Sequence, residues 1–237
     1  MLESMELFLW YLVVIMCILL MCIFLNHYRK QEGPSRPFFM GLSVFMIGYG
    51  IARLIENIRR YFIGSYDDIY DNWLIGYQIT GINLTLRFLY YFIAWSMIAF
   101  MYFNIERFIF KKTKYLLTIC SLAEGALSIS IYFYFNIIIY WASVFNFFIV
   151  GYFIPLMFLN LARKTPSGAI RNGCILIAIG MMLFVTGVMI DLPETAYFLH
   201  LLNQVRPELI IRLGAPIILM SGLILFSLGF RSFFKKE

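Results

Sequence analysis

Charged and polar residues interrupt several of the most apolar stretches of this 237-residue chain. Tyr49, Arg53, Glu56, Asn57 and Arg60 lie at steps of three and four residues, which places them on one stripe of a helix. An ionisable group at the middle of a membrane costs ~2.5–3.5 kcal/mol on insertion scales, so each such group needs a compensating role. The spacing therefore predicts a polar face on an otherwise apolar helix.

Other apolar stretches also contain polar residues. They are Thr80, Asn83, Arg87 and Tyr90; Ser121, Glu124 and Ser128; Ser143 and Asn146; and Asp191, Glu208 and Arg212. If a helix runs from Trp73, Arg87 lies about 20 Å along it, near the middle of the bilayer. The candidate ligand-binding residues are Arg53, Glu56, Asn83, Arg87, Glu124, Asn146, Asp191 and Arg212.

Two interpretations account for these charges. Lipid cannot solvate them, so they should face inward and either pair with one another or line a water-filled cavity open to the outer side. In the first interpretation they hold helices together, with Arg53 bonded to Glu56 and Arg87 bonded to Glu124. The charges inside the spans exceed what packing usually needs; there are seven, Arg53, Glu56, Arg87, Glu124, Asp191, Glu208 and Arg212. The sequence therefore favours a site for a small polar ligand or an ion.

The elements that position these residues are predicted to be transmembrane helices. The chain is 62% hydrophobic and 14% charged, with a mean hydropathy of +0.83, which excludes a soluble globular protein. A bilayer core of ~30 Å takes about 20 apolar helical residues. The predicted spans are residues 6–27, 37–60, 73–105, 114–135, 137–161, 169–191 and 208–230. We predict an all-α polytopic membrane protein in which residues 1–237 form a single seven-helix domain with no soluble domain.

The distribution of positive charge predicts the orientation of these helices. Thirteen of the nineteen Lys and Arg residues lie in alternate connections and at the C-terminus, whereas only Arg59, Arg60 and Arg206 lie in the connections on the other side. Because positive residues are retained on the cytoplasmic side, the N-terminus is predicted outside and the C-terminus inside a cell membrane.

Neither cofactors nor catalysis are expected. The four cysteines lie inside predicted spans, and no CxxC pair or Cys/His cluster with metal-ligand spacing is present. His27 and His200 fall on opposite predicted faces, so they cannot jointly bind haem or zinc. No nucleophile elbow, phosphate loop or metalloprotease motif occurs, so we expect no enzyme. The basic residues form short clusters between apolar runs, which excludes nucleic acid as a partner.

Seven spans in this orientation resemble the architecture of rhodopsins and G-protein-coupled receptors. Microbial rhodopsins hold retinal through a Schiff-base lysine in the seventh helix. The seventh span here, ELIIRLGAPIILMSGLILFSLGF, contains no lysine, and all seven lysines lie in predicted cytoplasmic segments. The resemblance therefore stops at topology, and no covalently bound retinal is expected.

Similar residues recur between the two halves of the chain. Pro34-Ser35 and Ile47-Gly48 recur 132 positions later as Pro166-Ser167 and Ile179-Gly180. Asn83, Arg87 and Ser96 match Glu208, Arg212 and Ser221, each 125 positions later. Spans one to three are thus predicted to repeat as spans five to seven. This 3+1+3 arrangement resembles the sugar and PQ-loop transporters, although no Pro-Gln motif is present.

The segment ERFIFKKTKYLLT, residues 106–118, together with the bias towards Ile, Phe, Tyr and Lys, resembles multi-pass membrane proteins of archaeal type. The segment covers a small fraction of the chain. The resemblance implies a prokaryotic cell membrane and brings no activity with it.

Two main functions follow as hypotheses. The first, which we favour, is a receptor-like protein that binds a small polar ligand from the outer side, with helix movement about Pro155 and Pro216 and a cytoplasmic partner at the basic loops. The second is a small-solute or proton-coupled transporter with Glu124 and Arg87 at its mid-membrane site. A structural subunit of a membrane complex is a third alternative. In each case the lipid bilayer surrounds the chain.

Overall fold

The computed structural model describes residues 2–33, 35–63, 81–108, 113–133, 137–191 and 210–234. All the long regular elements in these ranges are helical. The helices are α1 (Leu2–Lys30), α2 (Ser35–Ile58), α3 (Gly81–Phe108), α4 (Leu116–Phe133), α5 (Ile137–Lys164), α6 (Ala169–Asp191) and α7 (Ala215–Phe234). One π-helical turn, Arg59–Ile63, follows α2, and another, Ile210–Gly214, precedes α7.

Six of these helices are long and apolar enough to cross a membrane. The exception is α4, whose 18 residues include a shorter apolar segment, Leu116–Ser130. The all-helical class predicted from the sequence is confirmed, and the fold is compatible with a multi-pass membrane protein. The fourth predicted span thus differs from the other six. The outward orientation of the N-terminus stays a prediction.

The fourth helix begins two residues after its predicted position, and the predicted start of the third span is outside the described residues. The span predicted from residue 114 begins as a helix at Leu116, because Lys114 (φ 47°) and Tyr115 (φ 63°) adopt left-handed backbone conformations that an α-helix excludes. The described part of the third span begins at Gly81, and residues 73–80 lie outside the described residues. Arg87 is therefore about 9 Å from the first residue of α3, and its predicted depth, which counts from Trp73, stays untested.

The turn between α3 and α4 is fixed by Glu106. Its carboxylate accepts hydrogen bonds from the backbone N–H groups of Leu117 and Thr118, each at 2.9 Å, and from the Thr118 hydroxyl at 2.6 Å. The first N–H groups of a helix have no partner within the helix, and the helix dipole favours negative charge there. Glu106 thus acts as an N-cap supplied by the preceding helix.

The chain forms two compact units. The first unit comprises residues 14–150, and the second comprises residues 1–13 and 151–237. Both boundaries fall within helices, since α1 and α5 each contribute residues to both units. The single-domain organisation proposed from the sequence stays a prediction.

Glycines set the distance between α2 and α3 in the first unit. A β-carbon added at Gly48 would lie 2.1 Å from Cγ of Met97, and one at Gly41 would lie 3.3 Å from Cα of Met101 and 3.5 Å from Cβ of Asn104. Side chains at the two glycine positions would therefore push the helices apart. Small residues at helix interfaces allow this close approach in membranes, where no hydrophobic effect brings helices together.

The second unit packs α6 against α7 still more closely. A β-carbon at Gly180 would lie 2.4 Å from the backbone nitrogen of Phe226 and 2.7 Å from the carbonyl oxygen of Gly222. A β-carbon at Gly229 would lie 2.8 Å from the carbonyl oxygen of Gly173. The two helices thus meet backbone to backbone.

Both hairpins pair the same positions of the proposed repeat. The pairs are Gly41 with Asn104 and Gly48 with Met97 in α2 and α3, and Gly173 with Gly229 and Gly180 with Gly222 in α6 and α7. The α6 positions lie 132 residues after those of α2, and the α7 positions lie 125 residues after those of α3. These are the offsets found in the sequence, so the helix register agrees with an internal repeat.

The two prolines of the predicted hinges occupy different environments. Pro155 lies inside α5, as expected. Pro216, which the sequence placed within a continuous span, is the second residue of α7 and follows the π-helical turn. Residues 210–234 are helical without a break, so Pro216 lies six residues into this helical run, where the π-helical turn passes into α7. Both prolines therefore lie within helical segments, as the sequence predicts.

Candidate functional site

Glu56 lies at the centre of a buried group of arginines at the end of α2. The Nε and Nη2 atoms of Arg59 donate to Oε2 and Oε1 of Glu56, each at 2.9 Å, and Nε of Arg60 donates to Oε1 at 2.7 Å. Arg59 and Arg60 form the start of the π-helical turn, and both fold back onto the preceding turn of α2. The Arg59 contact is the two-bond fork that guanidinium groups form with carboxylates.

Arg87 reaches the same carboxylate from α3. Its Nη1 atom donates to Oε1 of Glu56. Its guanidinium carbon also lies 5.7 Å from the ring centre of Tyr90 and 5.2 Å from that of Tyr91, within the range of cation–π contacts. Arg87 therefore ties α3 to α2 through an ion pair and holds its guanidinium against two aromatic rings.

The register of the glycine contacts accounts for this pairing. Gly48 lies opposite Met97, and the two helices run in opposite directions. Glu56 is eight residues beyond Gly48 in α2, so its counterpart in α3 lies eight residues before Met97, within two residues of Arg87. The close packing near the middle of the helices thus positions the charges near their ends.

Two further polar side chains of α2 are fully buried beside this group. Arg53 and Asn57 each have 0% of their surface exposed. Among the described residues, neither the amide nitrogen nor the amide oxygen of the Asn57 side chain has a hydrogen-bond partner. We call Arg59, Arg60 and Arg87 together with Glu56 the arginine cluster. Its three positive side chains converge on one negative side chain.

Glu124 occupies a second buried site, formed by α4 and α5. Its Oε1 atom accepts hydrogen bonds from the hydroxyls of Ser143 and of Ser128, the latter at 3.3 Å. The side-chain nitrogen of Asn146 donates to Oε2 at 3.0 Å and to the carbonyl oxygen of Cys120 at 2.8 Å. We call Glu124, Ser128, Ser143 and Asn146 the Glu124 site. Its members come from two helices, so the site also links those helices.

The structure places Arg87 and Glu124 in different sites. Gly125, next to Glu124, packs against Trp95, since a β-carbon at Gly125 would lie 2.9 Å from Cβ of Trp95. Trp95 is eight residues from Arg87, which is about 12 Å along α3. The sequence predicts an ion pair between Arg87 and Glu124. In the structure Arg87 instead donates to Glu56, and Ser143 donates to Glu124.

The remaining candidate residues are distributed over both units. Asn83 is half-buried in the first turn of α3, in the first unit. In the second unit, Nε of Arg212 lies 4.0 Å from Oε2 of Glu6, which is 1% exposed, and Asp191 is buried at the end of α6. Glu208 lies outside the described residues. Six of the eight predicted residues thus belong to the first unit, and Asp191 and Arg212 belong to the second.

Two residues of these groups did not stand out as site residues in the sequence. Arg59 was placed in an outer connection, although it lies three residues after Glu56, the spacing of neighbours on a helix. Glu6 begins the first predicted span and is not among the candidate residues, yet it is buried and faces Arg212. Its position at the start of a long apolar run gave no indication of a partner about 200 residues away in the sequence.

No family model matches this chain, and neither a curated protein nor a solved structure is significantly similar to it. Across the described ranges, no three His, Cys, Asp or Glu side chains lie close enough together to hold a metal ion.

Proposed function

We propose that this chain is a receptor-like multi-pass membrane protein that binds a small anion at the arginine cluster. The observation that supports this proposal is the convergence of three buried guanidinium groups on the single carboxylate of Glu56. Guanidinium groups match the geometry of carboxylate and phosphate, so anions carrying these groups are the expected ligands. The proposal narrows the small polar ligand inferred from the sequence to an anionic one.

Glu56 gives such a ligand a route for exchanging partners. An incoming carboxylate or phosphate would take over guanidinium groups that now bind Glu56. Because Arg87 is on α3 while Glu56 is on α2, a change of partner at Arg87 would alter how the two helices are held together. The ligand would shift the helices only by its difference in affinity for the two arrangements.

The first experiment measures the thermal midpoint of purified protein in acetate, succinate or phosphate at constant ionic strength, with chloride as the reference. Constant ionic strength keeps the general screening of charges the same in every solution, so a difference between anions reports specific binding. A ligand at ten times its Kd stabilises the folded state by about 1.4 kcal/mol. We expect the thermal midpoint to rise in these anions for the wild type and for Arg171→Gln, which changes an exposed arginine of α6. We expect no rise for Arg87→Gln.

Three acids of the connection between α2 and α3, Asp67, Asp68 and Asp71, offer a competing source of negative charge; they lie outside the described residues. The variant in which all three are changed to Asn separates the two sources. Anion-dependent stabilisation of the wild type supports the proposal. Stabilisation that occurs only in the triple variant contradicts it, since the acids of the connection would then be the natural partners of the arginines.

The response to binding is proposed to pass to a cytoplasmic partner. The predicted cytoplasmic connections contain most of the basic residues, and Pro155 interrupts the hydrogen bonding of α5. Co-purification of a partner through these connections, lost when Lys111, Lys112 and Lys114 are changed to Gln, would support this route. Full retention of the partner by the triple variant would contradict it.

A small-solute transporter is the second candidate, and the shared register of the two hairpins favours it. Many transporters consist of two structurally similar repeats that move around a central site. Gly48 with Met97 and Gly180 with Gly222 are equivalent pairs under the proposed repeat.

Flux in proteoliposomes distinguishes the two candidates. Accumulation of labelled succinate or phosphate that is lost in Arg87→Gln and kept in Arg171→Gln would establish transport. Saturable binding without accumulation would leave the receptor-like function.

A further inference from the structure

The partners of Glu124 differ in kind from those of Glu56. Guanidinium groups only donate hydrogen bonds, whereas a serine hydroxyl can both donate and accept. Among the contacts described, the side chains that bind Glu124 are the serines Ser128 and Ser143 and the neutral amide of Asn146. These partners do not themselves require a carboxylate anion.

These partners suit both the ionised and the protonated form of Glu124. When the carboxyl group is ionised, the two serines and Asn146 all donate to it. When it is protonated on Oε1, its O–H can donate to Ser143 Oγ while Asn146 continues to donate to Oε2. Each partner stays in place, and only the Ser143 hydroxyl changes from donor to acceptor.

The charged groups on the neighbouring helices have other partners in the structure. On α3, Arg87 binds Glu56 about 12 Å from the level of Gly125, and Glu106 caps α4 at Thr118, about 9 Å from Glu124 along that helix. The titratable Tyr102 of α3 donates its hydroxyl hydrogen bond to the carbonyl oxygen of Val150.

The described groups of α4 and α5 that contact Glu124 are neutral. Cys120, one turn before it in α4, offers its carbonyl oxygen to Asn146. On α5, Ser143 and Asn146 face it, and the basic Arg163 and Lys164 lie at the far end of that helix. With Glu124 itself 1% exposed, the described contacts surround a buried carboxyl with neutral hydrogen-bonding groups.

We propose that Glu124 is a proton-binding site within the membrane-spanning part of the chain. A proton from water forms an O–H bond on the carboxylate, the side chain becomes neutral, and the neutral acid remains bonded to Ser143. Release of the proton to water restores the carboxylate. Proton binding here is independent of the anion proposed at the arginine cluster, because the two sites share no side chain.

Infrared difference spectra recorded while the pH is changed test this site directly. The probe is the proton itself, and the readout is the carbonyl stretch of a carboxylic acid shielded from solvent, measured on the full chain in lipid nanodiscs. We expect this band to appear on acidification in the wild type and in the matched variant Glu3→Gln, which removes an exposed glutamate of α1. It should be absent in Glu124→Gln.

Ser143→Ala keeps the test valid if Glu124→Gln does not fold. This variant retains the carboxyl group but removes one hydrogen bond, so the band should move to higher frequency. A wild type without a titrating band overturns the proposal, and so does a band that persists in Glu124→Gln. A band whose frequency is the same in Ser143→Ala also overturns it, because it would then belong to another carboxyl group.

Discussion

Glu56 and Glu124 are both almost fully buried glutamates of the first unit, yet their surroundings are opposite. Glu56 binds three positively charged side chains, which donate four hydrogen bonds to its two oxygens. Glu124 binds two hydroxyls and an amide. Burial alone therefore does not define what a carboxyl group does in this chain, since its partners determine whether its charge is required.

The comparison extends to how each glutamate joins its helices. Arg87 connects α3 to α2 through a charged contact, and removing one member would leave buried charges without their counter-charge. Ser143 and Asn146 connect α5 to α4 through neutral contacts, whose loss leaves only unsatisfied polar groups. The first link should be the more costly one to break.

Glu56→Gln is expected to have the largest effect. The substitution keeps the size of the side chain but removes the charge that three buried arginines contact. Breaking a buried ion pair in this way lowers the free energy of unfolding by about 3–5 kcal/mol. Equilibrium unfolding in mixed micelles measures the loss. Glu124→Gln is the matched control, and equal losses for the two variants would end the distinction between the sites.

Arg87→Gln should cost less, about 1.5–3 kcal/mol, because Glu56 retains Arg59 and Arg60. A double-mutant cycle with Glu56→Gln isolates the contact between α2 and α3. We expect the two substitutions to be strongly non-additive. Additive losses would show that Arg87 stabilises the fold through Tyr90 and Tyr91 rather than through Glu56.

The sequence predicted the helices better than it predicted the charge pairs. Long apolar runs mark helices directly, and all seven expected helices occur, with α4 shorter than a full span. The pairing of Arg87 depended on the register between α2 and α3, which Gly41 and Gly48 determine by close contact. Steps of three and four residues define a face of one helix and contain no information about which helix lies opposite.

The candidate residues illustrate the same limit. Glu56 and Arg87 were both selected from the sequence, as were Glu124 and Asn146, and the structure brings each of these pairs together. Arg59 was missed because counting positive charges by connection treats the end of a helix as outside the membrane. Local spacing thus identified the residues, while their assignment to separate sites required the fold.

Glu124→Gln is expected to cost about 1 kcal/mol. With its oxygen at the Oε1 position, glutamine still accepts from Ser143 and Ser128, and its amide nitrogen replaces the acceptor of Asn146, so one hydrogen bond of the site is lost. The same unfolding assay measures the change. A loss comparable to that of Glu56→Gln would mean that Glu124 holds a fixed negative charge, which would contradict proton exchange at this site.

Ser143→Ala is expected to have the smallest effect, about 0.5–1.5 kcal/mol, since it removes one hydrogen bond to Glu124. Ser130→Ala is the control, because the Ser130 hydroxyl bonds only the Ala126 carbonyl in its own helix among the described contacts. If Glu124 exchanges a proton, the loss in Ser143→Ala should be similar at low and high pH, because the Ser143 hydroxyl has a role in both protonation states. A loss confined to high pH would show that Ser143 serves only the carboxylate, and Glu124 would then resemble Glu56 in requiring its charge.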